Sequence, residues 1–81
     1  MYAIQIADLL VLQRDPVMRM VLTPLMGKEE VTVADDQFDG VALPFACGDE
    51  QAAAMIEIVR KKHARHQIRC YHKVKSAWKR V

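Results

Sequence analysis

Four side chains that bind soft metals fall between positions 63 and 72: His63, His66, Cys70 and His72. Zinc accepts nitrogen and sulfur donors of this kind in tetrahedral sets. Helical spacing places His63 on a helix stripe, whereas alternation places Cys70 and His72 on one side of a strand, so the donors need not converge. Lys61, Lys62, Arg65, Arg69, Lys73 and Lys75 crowd the same stretch, and no carboxylate there offsets a divalent cation. The expectation is no metal site. Cys47 stands just before a helix N-terminus, where a thiol pKa falls, but no base lies at a recognisable position to make it a nucleophile. Asp35, Asp36 and Asp39 are closely spaced, yet the ligand pattern of an EF-hand is absent and a turn accounts for them. The glycines at 27, 40 and 48 are isolated, so no phosphate-cradling loop exists. These readings predict neither catalysis nor a bound cofactor.

The charges say more. Positions 1–57 hold all ten carboxylates against three Lys or Arg, a net of −7, and positions 58–81 hold nine basic residues, a net of +9; together they give the formal +2 of the chain. Segment 60–80 spreads cations over a helix end (Arg60, Lys61, Lys62), a strand's outer face (Arg69, Lys73, Lys75) and a tail (Lys79, Arg80), with Tyr71 and Trp78 interleaved. Cations neutralise phosphates and aromatic faces stack on unpaired bases. The expected interface for nucleic acid is Arg60, Lys61, Lys62, Arg69, Tyr71, Lys73, Lys75 and Trp78.

A rival reading uses the other sign. Positions 29–57 hold eight carboxylates and no Lys or Arg, and a hairpin tip with Asp35, Asp36 and Asp39 beside Asp49 and Glu50 would suit a basic protein surface. The chain would then be a protein-protein inhibitor or adaptor, acting through this acidic hairpin or an apolar face. Small inhibitors made by phages and other mobile elements have this size and charge character, although no residues here match a particular family.

Elements must position these groups. Ala52, Met55, Ile56, Val59 and His63 recur at i, i+3, i+4 and i+7, which predicts a helix over 49–63 with Asp49 and Glu50 at its positive end and Arg60, Lys61 and Lys62 at its negative end. Ile68, Cys70, His72 and Val74 alternate with Arg69, Tyr71, Lys73 and Lys75, which predicts a strand with a basic outer face. Runs 30–34 and 41–45 flank an Asp-rich turn as a hairpin, with Pro44 suited to an edge or strand end. Val74, Ala77, Trp78 and Val81 recur at helical spacing, so 76–81 reads as a tail or short helical turn. Residues 8–22 fit either a helix or two strands, 9–14 and 17–23, because Asp15-Pro16 interrupts the pattern.

The fold class is α+β: one domain over 1–81, with a small antiparallel sheet of three to five strands and helix 49–63 on one face. A meander is preferred, and the alternative is the split β-α-β-β-α-β order. The start of the chain lacks a cationic signal region, no apolar run reaches a membrane span, and two cysteines make no disulfide framework, so a reducing cytoplasm is expected. A core this small is marginal, which favours a homo-oligomer or a docked partner.

Overall fold

The computed structural model describes residues 1–34 and 39–81. Its first element, β1 (Tyr2–Gln5), runs directly into α1 (Ile6–Leu12), and a three-residue break separates that helix from α2 (Pro16–Leu22). Asp15 makes the break productive. Its carboxylate accepts from the main-chain nitrogens of Val17 and Met18, and Pro16 follows in the first helical position, where its missing N–H is harmless. The Asp-Pro pair therefore starts a second helix instead of ending all helical structure. Strands 9–14 and 17–23 do not form. Leu9, Leu12, Met18 and Leu22 are instead buried on the inner sides of the two helices. A single 3-10 turn, Thr23–Leu25, follows.

The remaining elements are β2 (Val31–Ala34), β3 (Asp39–Phe45), α3 (Asp49–Lys62), β4 (Cys70–Val74) and β5 (Ala77–Arg80). All strand pairings are antiparallel, in the order β2-β3-β1-β4-β5. The architecture is thus the split β-α-β-β-α-β order with a fifth strand added, and the preferred meander gives way to it. Where a helical turn was expected over 76–81, β5 pairs with β4 through a two-residue turn, Lys75-Ser76. Lys75 has φ 57°, and no other described residue has a positive φ, so the turn is made with Lys75 in the left-handed region that hairpin turns use. The helical spacing of Val74, Ala77, Trp78 and Val81 is coincidental to a ribbon.

Tyr2, Ile4, Phe45 and Cys70 face the helices and are buried with Leu9, Leu12, Met18, Leu22, Ala52, Met55, Ile56, Val59 and Ile68. The opposite face carries no helix. At its centre stand Ala3, Gly40 and Ala42, residues small enough for the sheet to curl on itself until β2 approaches β5. Tyr71 packs into that curl with Ala3, Val33 and Ala42, forming a second core flanked by Val31 and Trp78. Pro44 sits opposite Ala3 within β3, but its carbonyl accepts from Gly27 and it lies beyond Val31, the first β2 residue, so its lack of a donor leaves no β2 ladder bond unmade. A Cβ at Gly27 would come to 3.0 Å from the Pro44 ring, which accounts for glycine there. Among the described residues, no helix is long and apolar enough to cross a membrane.

Candidate nucleic-acid interface

Part of the split charge is answered within the chain. Asp8, buried in the first turn of α1, accepts from the main-chain nitrogen of Arg69 at 2.8 Å and lies 3.8 Å from its Nε. Asp15 receives Lys62 at 2.7 Å and His63 at 3.2 Å while capping α2. The Lys62 ammonium above all, helped by the Met18, His63 and Val17 donors, overcomes partial burial and holds the Asp15 carboxyl down at about 2. Two carboxylates from the acidic half therefore fasten the α1–α2 layer to the end of α3 and the start of β4. Lys62 and Arg69 are structural in this arrangement. Glu57 and Lys61, 3.1 Å apart, are both exposed and contribute little.

The other cations of the basic half lie on the end of α3, on the loop after it and on the β4–β5 ribbon. Arg60 donates to the main-chain oxygen of Val81, which ties the last turns of α3 to the end of β5. Between these elements is an open cleft of about 450 Å³, floored by Tyr2, Ala53 and Ile56, rimmed by Glu57, Arg60 and Lys61, and closed by Val81. From Val81 the β4–β5 ribbon runs away from the helix end. Cross-strand pairs put His72, Lys79, Val74 and Ala77 on the helix side, and Tyr71, Arg80, Lys73 and Trp78 on the other. The β1 ladder ends at Tyr2–His72 with one further bond, Lys73 N–H to the Met1 carbonyl, so positions 74–77 project beyond the sheet and are exposed.

Two expected members of the interface change character. Tyr71 does turn away from the helix layer, as alternation requires, but the curled sheet covers it completely, and its ring is not available for stacking on a base. Trp78 is half-buried on β5 against the same core, with the Lys73 Nζ 5.7 Å from its ring centroid. Lys73 and Lys75 remain exposed on the ribbon, and Lys79, read from sequence as tail, joins them there.

Among the described acidic residues, Asp39 does not lie beside Asp49 and Glu50. Asp39 opens β3, whereas Asp49 and Glu50 open α3 just after β3 has ended at Phe45, so the whole strand separates them. Six steps of extended chain span roughly 20 Å. Asp35 and Asp36 lie outside the described residues. Asp49 accepts a 2.8 Å hydrogen bond from the Tyr2 hydroxyl and stands 3.9 Å from His72 Nε2. Tyr2 is stacked between Phe45, at 5.7 Å, and His72, at 4.5 Å. The Asp49 hydrogen bond chiefly raises the Tyr2 pKa. This group went unread because its members are separated by tens of residues and carry no shared motif.

Among the described residues, no three His, Cys, Asp or Glu side chains gather as metal ligands. Burial raises the Cys47 thiol, and burial pushes Cys70 up to about 11, so neither environment favours a thiolate. The position of Cys47 before a helix does not outweigh its desolvation. Comparison with protein-family models, with curated proteins and with solved structures returned no match.

Proposed function

We propose that this chain is a small binding domain without chemistry of its own, which holds nucleic acid through the β4–β5 ribbon and the adjoining end of α3. One observation carries the reading. Lys73, Lys75 and Lys79 are exposed on a projecting ribbon, and among the described residues none has a carboxylate within 4 Å, while the acidic half neutralises Lys62 and Arg69 instead. Arg60 and Lys61 extend the positive band along the cleft. Phosphate contacts of this kind need neither a motif nor a deep pocket. Titrating a labelled oligonucleotide with the domain at rising salt tests it: the apparent affinity falls linearly on a log–log plot. Absence of binding at low salt refutes the proposal.

A second reading is favoured by a different surface. Val17, Met20 and Val21 recur at i, i+3 and i+4 on the outer side of α2, and with Leu10 of α1 they are between 45% and 75% exposed. Together these four side chains expose roughly 400 Å², about half of one side of a standard interface. A second copy of this chain, adding its own stripe across a two-fold axis, fits a weak dimer of a domain with a small core. Sedimentation of wild type and Met20→Glu tests this, because the charge opens a dimer without touching the monomer's core. The inhibitor or adaptor alternative would use the same apolar face, since Asp39 stands apart from Asp49 and Glu50.

A further inference from the structure

We infer that the nucleic acid is double-stranded DNA and that the β4–β5 ribbon lies in its major groove, an inference that rests on the reading of the domain as a nucleic-acid binder. The first ground is what the aromatic side chains are doing. Tyr71 is fully buried, Trp78 is half-buried under Lys73, and Tyr2 is sandwiched between Phe45 and His72. Single-stranded partners are held chiefly by bases stacked on free aromatic faces. Among the described residues, no aromatic ring stands open on the surface: Tyr2, Phe45 and Tyr71 are buried, and Trp78 is half-buried beneath the Lys73 ammonium. The sheet surface that would serve as a stacking platform is closed by its own curl.

The second ground is the shape and charge of the ribbon. Two strands about 4.8 Å apart, with side chains on both faces, match a groove about 12 Å wide that admits a two-stranded ribbon. The deep, narrow major groove of an RNA duplex does not admit one. Lys73 projects from one face of the ribbon, Lys79 from the other, and Lys75 sits at the tip. Cations are thus directed to both phosphate walls as well as forward. Between them the exposed tip offers the Ser76 hydroxyl and the small apolar Val74 and Ala77, groups suited to base edges and thymine methyls. Among the described residues, backbone support for the ribbon ends at the Lys73–Met1 hydrogen bond, which leaves the exposed positions 74–77 projecting.

The test is fluorescence anisotropy with the full chain and three labelled probes of one mixed sequence: a DNA duplex, its single strand and the matching RNA duplex. The expected result is tightest binding to the DNA duplex, by about tenfold or more over the single strand, because stacking is not available. Each lost phosphate contact removes about 0.9 from the salt slope, so Lys75→Ala with Lys79→Ala weakens duplex binding about 60-fold at about 0.1 M salt and lowers the slope by about 2. Arg14→Ala with Arg19→Ala removes the same charge from the helical side and leaves the slope unchanged. Circular dichroism confirms folding, and Ser76→Glu, which sets a repelling charge at the tip, replaces the double variant should that one unfold. Equal or tighter binding of the single strand, or wild-type duplex binding by the tip variants, overturns the inference. Failure to bind any of the three probes overturns the parent reading instead.

Discussion

Replacing Lys75 by glycine separates the stability of the hairpin from its binding. Lys75 is held at φ 57°, in the left-handed region. A side chain with a Cβ costs about 1–2 kcal/mol there, whereas glycine costs about 0.5–1 kcal/mol in lost backbone freedom on folding. The net gain from Lys75→Gly is therefore about 0.5–1 kcal/mol, or about 3–6 °C in Tm for a domain of this length. The same substitution deletes the tip cation, and one phosphate contact at about 0.1 M salt is worth about eightfold in affinity. A variant that melts higher and binds DNA more weakly is the expected outcome. Lys75→Asn, which tolerates the same backbone, behaves likewise with a smaller gain, and Lys75→Val melts lower than wild type because a β-branched residue resists this conformation. Thermal melts by circular dichroism and anisotropy titrations on the same samples give both numbers. A glycine variant that melts lower, or a valine variant that melts like wild type, refutes the turn geometry and the placement of Lys75 at the tip.

Three further outcomes follow from the packing. The Asp15 carboxyl titrates at about 2 in the folded chain, below its ordinary 3.8, so the stability it lends is present above about pH 4 and is lost as pH falls toward 2. Melting of Asp15→Asn against pH is accordingly lower at neutral pH and flatter in acid, with the two profiles converging near pH 2; parallel profiles would show that the Lys62 and His63 contacts carry no weight. Tyr71→Ala, which empties the second core, costs about 3–5 kcal/mol, most of the stability of a domain this small, and urea denaturation that finds only about 1 kcal/mol would contradict its full burial. Cys70, buried with its thiol raised to about 11, resists alkylation in native buffer and reacts only on unfolding, as mass spectrometry of the labelled peptide would record; rapid native labelling would contradict its place in the core.

The helix Asp49–Lys62 was readable because its signals are local: an apolar stripe, acidic residues in the first turn and basic ones in the last. It ends one position before the expected 63. The pairing of 30–34 with 41–45 was legible for the same reason, and the observed pairing of Val31–Ala34 with β3 follows it. Residues 8–22 were ambiguous because two seven-residue helices are too short for their period to dominate, and what decides them is the Asp15 cap. Tyr71 shows a different limit. Alternation correctly set it apart from Cys70 and His72, but its burial depends on Ala3 arriving opposite it with Val33 and Ala42 on the same curled face, and the Ala3–Tyr71 register links positions nearly seventy residues apart. The β4–β5 turn carries Lys-Ser where glycine or asparagine would announce a hairpin, so Trp78 was read on the wrong element. For the proposed interface, residue types name only the candidate cations. They did not reveal which groups Asp8 and Asp15 would claim, since the Asp8–Arg69 contact crosses 61 positions of chain and the Asp15–His63 contact 48.

The place of β1 in the middle of the sheet has a kinetic consequence. Its neighbours are β3 on one side and β4 on the other, and positions 2–4 pair with 70–72. β1 leaves a ribosome well before β4, so one of its edges stays open until positions 70–72 have emerged. Closing so long a loop is slow, and topologies rich in distant pairings fold on millisecond to second timescales. Until β4 arrives, Tyr2 and Ile4 would sit on an exposed strand edge next to unfinished core, the arrangement most prone to pairing with a neighbouring chain. Folding rates measured by stopped-flow, with and without residues 70–81, would show whether the final ribbon is also the step that commits the domain to its structure.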